Sequence, residues 1–266
     1  MAKRKLKVEK ARYVGAFDAS GKEDQRCLVV AGFISSSQDW QSFHTQWTER
    51  LNAEGLTHFH MVDFAASRGE FAAGWKDDEQ RAGQIELSRA YPVYALAQLP
   101  ELLRGKKEFA LGAYSLAGRT CVADMANWKQ RENLLHVPTG FVFEEDDEGA
   151  GELSTRLLED GHSRPVFLPK KDRVNPDGNP VNAYTPLQAA DMFAYELAKP
   201  FRDLLNGKPR VSSFRWAFEE FNRIHGETGY YSPKNLIELN EKLESLRLNR
   251  SDGREPTEPE HGSAHV

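Results

Sequence analysis

The stretch from Arg12 to Ile34 constrains most strongly what this chain can fold into. Two apolar runs, RYVGAF and RCLVVAGFI, flank the polar, glycine-containing DASGKEDQ. Such runs joined through turn-forming residues read as an antiparallel β-hairpin with a loop longer than the tightest type. The period then changes. Trp40, Phe43, Trp47 and Leu51 recur at steps of three and four behind the polar run SSSQD, which predicts an amphipathic helix over 38–52.

LTHFHMVDF reads as a short strand with an exit loop, and residues 77–91 as a helix ended or kinked at Pro92. VYALAQL and EFALGAY are candidate strands. A helix over 115–133, a strand in GFVFEEDDE, a helix in GELSTRLLED and a strand in RPVFLPK complete the pattern. A hairpin followed by alternating helices and strands predicts an α/β domain with a mixed sheet flanked by helices.

This domain is expected over 12–206, after a flexible basic N-terminus at 1–11. Phe214, Ala217, Phe218, Phe221 and Ile224, then Leu236, Leu239, Leu243 and Leu246, repeat at helical spacing. They predict a C-terminal helical extension over 207–248 packed on the domain, able to serve a protein partner or a homo-oligomer. Residues 249–266 hold too few apolar side chains to offset ordering entropy and read as a disordered tail.

A net charge of −5 gives no overall attraction to phosphate backbones, so nucleic acid could be bound only through local patches. No run of 18 apolar residues and no secretory h-region occurs, so the expectation is a cytoplasmic protein with no membrane partner. Cys27 and Cys121 make neither a disulfide framework nor a thiolate metal site. The chain has no GxGxxG, GxxxxGK[ST], GxSxG, HExxH or paired CxxC. This weighs against dinucleotide binding, P-loop chemistry, α/β-hydrolase chemistry and the common zinc enzymes.

Carboxylates at element ends remain. In YTPLQAADMFAYELAKPF, Thr185 suits an N-cap, Pro186 the first helical position and Gln188 the capping-box site. Leu187, Ala190, Asp191, Ala194 and Ala198 share one stripe, so Asp191 points inward, where a charge costs several kcal/mol unless it is paired, hydrogen-bonded or on a metal. Asp18 ends a strand on the face of Val14 and Ala16. After GFVF, alternation sends Glu144 with Val142 and Glu145 with Phe143 without deciding which face is inner. Glu144, the first acid after the strand, is preferred, and the other acids of that run read as solvated surface. Together these acids form an oxygen-rich nest that needs a cation, and Mg²⁺ or Mn²⁺ favours such ligands. His60 and Asp63 add a histidine and an acid three residues apart.

In this order, AFDASGKEDQRCLVVAGFI, the following helix, HFHMVDF and LQAADMFAYEL resemble the domain of unknown function 3800 family over roughly Tyr13 to Phe201. The resemblance implies a ribonuclease-H-like fold. Asp18, Ser20 and Gly21 match the family's Asp-Glu-Ser-Gly, with Ala19 in place of the glutamate. His60 and Asp63 match its histidine strand, Glu144 or Glu145 its later strand end, and Leu187, Gln188, Ala190 and Asp191 its last helix.

The expectation is therefore a divalent-metal-dependent nuclease or phosphodiesterase acting on nucleic acid. Asp18, Glu144 and Asp191 hold the metal, and His60 assists the attacking water. Ser20, Asp63, Glu145 and Gln188 are additional candidates, and Lys170, Lys171 and Arg173 could contact phosphate. The alternative is a non-catalytic binding or accessory protein on the same fold, related to mobile elements or defence.

Overall fold

The computed structural model describes residues 11–21, 26–72, 91–98, 112–207, 226–232, 234–239 and 241–242. The hairpin forms as its pattern predicts. β1 (Tyr13–Ser20) pairs antiparallel with β2 (Cys27–Ser36) in a register that places Phe17 opposite Gly32. Gly32 is required there, because a Cβ would lie 1.8 Å from the backbone oxygen of Ala16.

α1 (Ser37–Ala53) follows at once. Its N-cap Ser36 accepts a hydrogen bond from the backbone N–H of Asp39, and Trp40, Trp47 and Leu51 are buried. The short strand expected at LTHFHMVDF is instead a helix, α2 (Met61–Ala66), with His60 in extended conformation at its N-cap. A turn of 3-10 helix, η1 (Gly69–Phe71), succeeds it. Phe59, Phe64 and Phe71 meet edge to face or tilted, with centroids 5.3 to 5.7 Å apart. That aromatic packing draws the backbone into a helix despite a pattern that reads as strand.

β3 (Tyr91–Gln98) pairs antiparallel with β2, so Tyr91 and Pro92 lie in a strand. The rest of the helix expected over 77–91 lies outside the described residues, as does most of EFALGAY. α3 (Ala113–Arg131), β4 (Thr139–Glu144), α4 (Ala150–Glu159) and β5 (Val166–Leu168) then follow the expected order. A two-residue ribbon of β6 (Arg173–Val174) and β7 (Pro180–Val181) leads into α5 (Pro186–Leu205). β8 (Glu227–Tyr231) ends the strand order.

The main sheet runs β5-β4-β1-β2-β3-β8. Its neighbours are parallel except where β2 meets β1 and β3, so β2 alone runs against the others. A three-strand meander continued on its first strand by two parallel strands, with helices on both faces, is a ribonuclease-H-like α/β architecture. One face packs Val14, Ala16, Ala31, Phe33 and Val142 against α1, α2 and α5. The other packs Phe17, Val30, Phe141 and Phe143 against α3 and α4.

One expectation is corrected at the C-terminus. The extension anticipated as helical over 207–248 carries, between its two apolar stripes, the strand β8, which extends the sheet beside β3. Residues 234–239 are helical and bury Leu236 completely in the α3 side of the core. The Phe214 to Ile224 stripe, the basic N-terminus at 1–10 and the tail lie outside the described residues. Among the described residues no helix is long and apolar enough to cross a membrane.

Candidate metal centre

β1 and β4 are adjacent and parallel, with Phe17 opposite Phe143, so the residues that follow, Asp18 and Glu144, stand at the same sheet edge. Carboxyl ends of neighbouring parallel strands are where open α/β sheets place their ligands. Alternation puts Asp18 and Glu144 on the face of Val14, Ala16 and Val142, toward α5, and Phe141 and Phe143 on the other. This settles which acid faces inward. Glu144 is buried, whereas Glu145 turns away and accepts a hydrogen bond from Arg173 Nη2 at 2.6 Å.

A third acid joins them. Asp18, Glu144 and Asp147 each offer a carboxylate oxygen, all within 4.8 Å of one another. Asp147 belongs to the acidic run that reads as solvated, and that reading is corrected here. The chain turns back after β4, Gly149 takes a left-handed φ of 96° to start α4, and Asp147 is carried under Tyr114 beside Glu144. Its Oδ2 is buried with no hydrogen-bond partner among the described residues.

Asp191 is close but is held separately. Its Oδ2 accepts the backbone N–H of Met61 at 2.6 Å, at the start of α2, and its Oδ1 meets Lys170 Nζ at 3.3 Å. The same ammonium lies 2.9 Å from Asp18 Oδ2, while Asp18 Oδ1 takes the Ala19 N–H at 2.8 Å. The charge on the apolar stripe of α5 therefore has two ordinary partners. Lys170, expected as a surface phosphate contact, is instead a largely buried counter-ion with a side chain 16% exposed. Lys171 is exposed and Arg173 is engaged by Glu145, so the three basic residues do not form one patch.

Gln188 proves to be the clamp of this arrangement and not a helix cap. Its Oε1 accepts from Trp47 Nε1 at 2.7 Å and from the Phe59 N–H at 3.0 Å, and its Nε2 donates to the Lys170 carbonyl at 2.7 Å. Thr185 occupies the N-cap position without capping; its hydroxyl is 3.0 Å from His44 Nδ1.

His60 Nδ1 lies 2.7 Å from Asp63 Oδ2, and both are about one-third exposed. The pair belongs to one helix N-terminus, with Asp63 orienting the ring. Ser20 is buried on the same strand face as Asp18. Ala19 packs with the α3 side of the core, so a longer acid at that position would start from the opposite face of β1.

Electrostatics follow from burial. Removal from water raises Asp18 well above the ordinary carboxyl range; Lys170 opposes this, while Asp191, Asp147 and Glu144 add to it. Burial also raises Glu144. Asp147 is pushed up to about 7, first by burial and then by the charge of Glu144. For Lys170, burial disfavours the ammonium, but Asp18, Asp191 and Glu144 outweigh it and hold the lysine charged. The hydrogen bond from His60 lowers Asp63.

The donor set fits a hard divalent cation: three carboxylate oxygens converge, and one of them belongs to a carboxylate with an orphaned oxygen. Ions of this kind take oxygen ligands at about 2.1 Å, so only small closures separate the three groups from a shared ion. The chain matches no family model, no curated protein and no solved structure.

Proposed function

We propose that this chain is a divalent-metal-dependent phosphodiesterase of the nuclease type, acting on nucleic acid, with Asp18, Glu144 and Asp147 holding Mg²⁺ or Mn²⁺. The observation that supports it is the convergence of these carboxylates, two at the ends of adjacent parallel strands and Asp147 just beyond, with Asp147 Oδ2 buried and without a hydrogen-bond partner among the described residues. When bound, the ion supplies an activated water and takes up charge on the phosphodiester. Glu144 and Asp147 shape the donor set from one side of the sheet edge, and Asp18 from the other. Asp63 fixes the tautomer and tilt of His60, which receives the proton of the attacking water. Cys27 and Cys121 are buried free thiols, which supports a reducing compartment such as the cytoplasm.

The test is cleavage of single- and double-stranded DNA and RNA with Mg²⁺ or Mn²⁺ by the wild type and Asp18→Asn. Loss of a ligand removes several kcal/mol of transition-state charge stabilisation, a fall of about a hundredfold or more. Equal rates in the two proteins, or none in either with several metals, would sink the reading.

A second reading, a non-catalytic binding or accessory protein, is favoured by one observation. Lys170 already compensates Asp18 and Asp191. Under it, Mn²⁺ leaves the melting temperature where EDTA leaves it. Under the first reading, Mn²⁺ raises it, since a ligand bound only by the native state stabilises by mass action.

A further inference from the structure

We propose that Lys170 occupies the place of a second metal, so that the centre takes one divalent ion and one ammonium. The proposal deepens the phosphodiesterase reading and rests on it.

Two ions about 4 Å apart commonly share such chemistry, one on the attacking and one on the leaving oxygen. Here the positions are unequal. The oxygens that converge within 4.8 Å of one another belong to Asp18, Glu144 and Asp147. On the other side, Lys170 Nζ stands 2.9 Å from Asp18 Oδ2 and 3.3 Å from Asp191 Oδ1, so it holds the gap that a second ion bridging Asp18 and Asp191 would need. Asp18 and Asp191 each give one oxygen to Lys170 and one to a backbone N–H, of Ala19 and Met61, so the ammonium bridges the two. Four carboxylates and one ammonium sum to −3, so one divalent ion leaves −1 and a second would reverse the sign to +1.

The ammonium is delivered by construction. Gln188 Nε2 donates to the Lys170 carbonyl at 2.7 Å, and the Tyr184 N–H donates to the preceding carbonyl of Pro169 at 2.8 Å. Gln188 is itself fixed by Trp47 and Phe59. A flexible four-carbon stem is thus anchored at its base and at its tip.

An ammonium can do what the displaced ion would do for a leaving oxygen, by charge and by a charge-assisted hydrogen bond. Water oxygen forms the new P–O bond and gives its proton to His60. The old P–O bond breaks with its electron pair on the leaving oxygen, which accepts an N–H hydrogen bond from Lys170.

The experiment is Mn²⁺ titration of the full chain by calorimetry and electron paramagnetic resonance, with circular dichroism to confirm the fold of each variant. The wild type is expected to bind one ion. Lys170→Arg keeps a cation and stays at one, while Lys170→Met opens the Asp18–Asp191 gap and binds two. Two ions in the wild type overturn this proposal and leave the metal reading standing. No ion in the wild type removes the metal reading itself. A folded Lys170→Met that still binds one ion also overturns the proposal; should that variant not fold, the wild-type and Lys170→Arg counts decide.

Discussion

At the scale of single residues, Asp147 shares the pH behaviour of the centre with Asp18 and Glu144, all three raised by burial. Its folded pKa of about 7 lies above the ordinary value of 3.8, so between those values the folded state holds the proton and the unfolded state releases it. Native stability from this group is present at low pH and is lost as pH rises from about 4 to about 7. Glu144 acts in the same direction. In EDTA, the melting temperature of the wild type should fall across that window more steeply than that of Asp147→Asn, and Mn²⁺ should restore it above pH 7. Identical slopes in the two proteins would show that Asp147 titrates normally. Asp147 was hidden in the sequence because EEDDE offers five acids in a row and strand alternation stops at Glu144. Gly149, the residue that starts α4 after the turn, was the available signal. Lys170 was hidden for a similar reason, since a lysine beside Lys171 and Arg173 reads as basic surface, and only its distant partners draw it inward. Asp18 and Asp191 were legible because each stands at a position where an apolar period calls for a hydrocarbon, whereas Glu144 was preferred over Glu145 only as the first acid after its strand.

At the scale of elements, the site depends on how closely β1 and β2 lie. Ala16, two residues before Asp18, presents its carbonyl to Gly32. Gly32→Ala forces backbone against backbone and should cost at least about 2 kcal/mol, read as a shift in denaturant midpoint at unchanged m-value. An unchanged midpoint would mean that the strands can part without penalty. The hairpin was readable from two apolar runs about a turn-forming stretch, and α1 and α5 from apolar side chains at steps of three and four. The sequence HFHMVDF was misread because its apolar residues alternate, while the acceptors that fix the start of α2, Gln188 for the Phe59 N–H and Asp191 for the Met61 N–H, lie 129 and 130 positions away. β8 was missed because ETGYY is short and carries a glycine at its centre, and a strand of that kind forms only against an edge already present.

For the whole molecule, β8 and Leu236 close one side of the domain. β3 is flanked by β2 and β8, so removal of β8 leaves a row of unpaired backbone groups. A chain ending at Gly207 should therefore lose stability and associate at that edge, visible by size exclusion with light scattering. A monomeric truncated chain with the full melting temperature would show that the C-terminal segment is dispensable. The order of the sheet was only partly legible, because a sequence shows which residues form strands and not which strands become neighbours. The β4 insertion beside β1, which brings Glu144 to Asp18, is a property of topology.

That topology also bears on how the protein is made. Asp18 leaves the ribosome early, yet its ion-pair partner Lys170 lies 152 positions later, and Asp191 later still. A growing chain can close its hairpin without possessing the centre. If the centre cleaves nucleic acid, the nascent protein lacks its donor set until Glu144 and Asp147 have emerged, and its ammonium until Lys170 has.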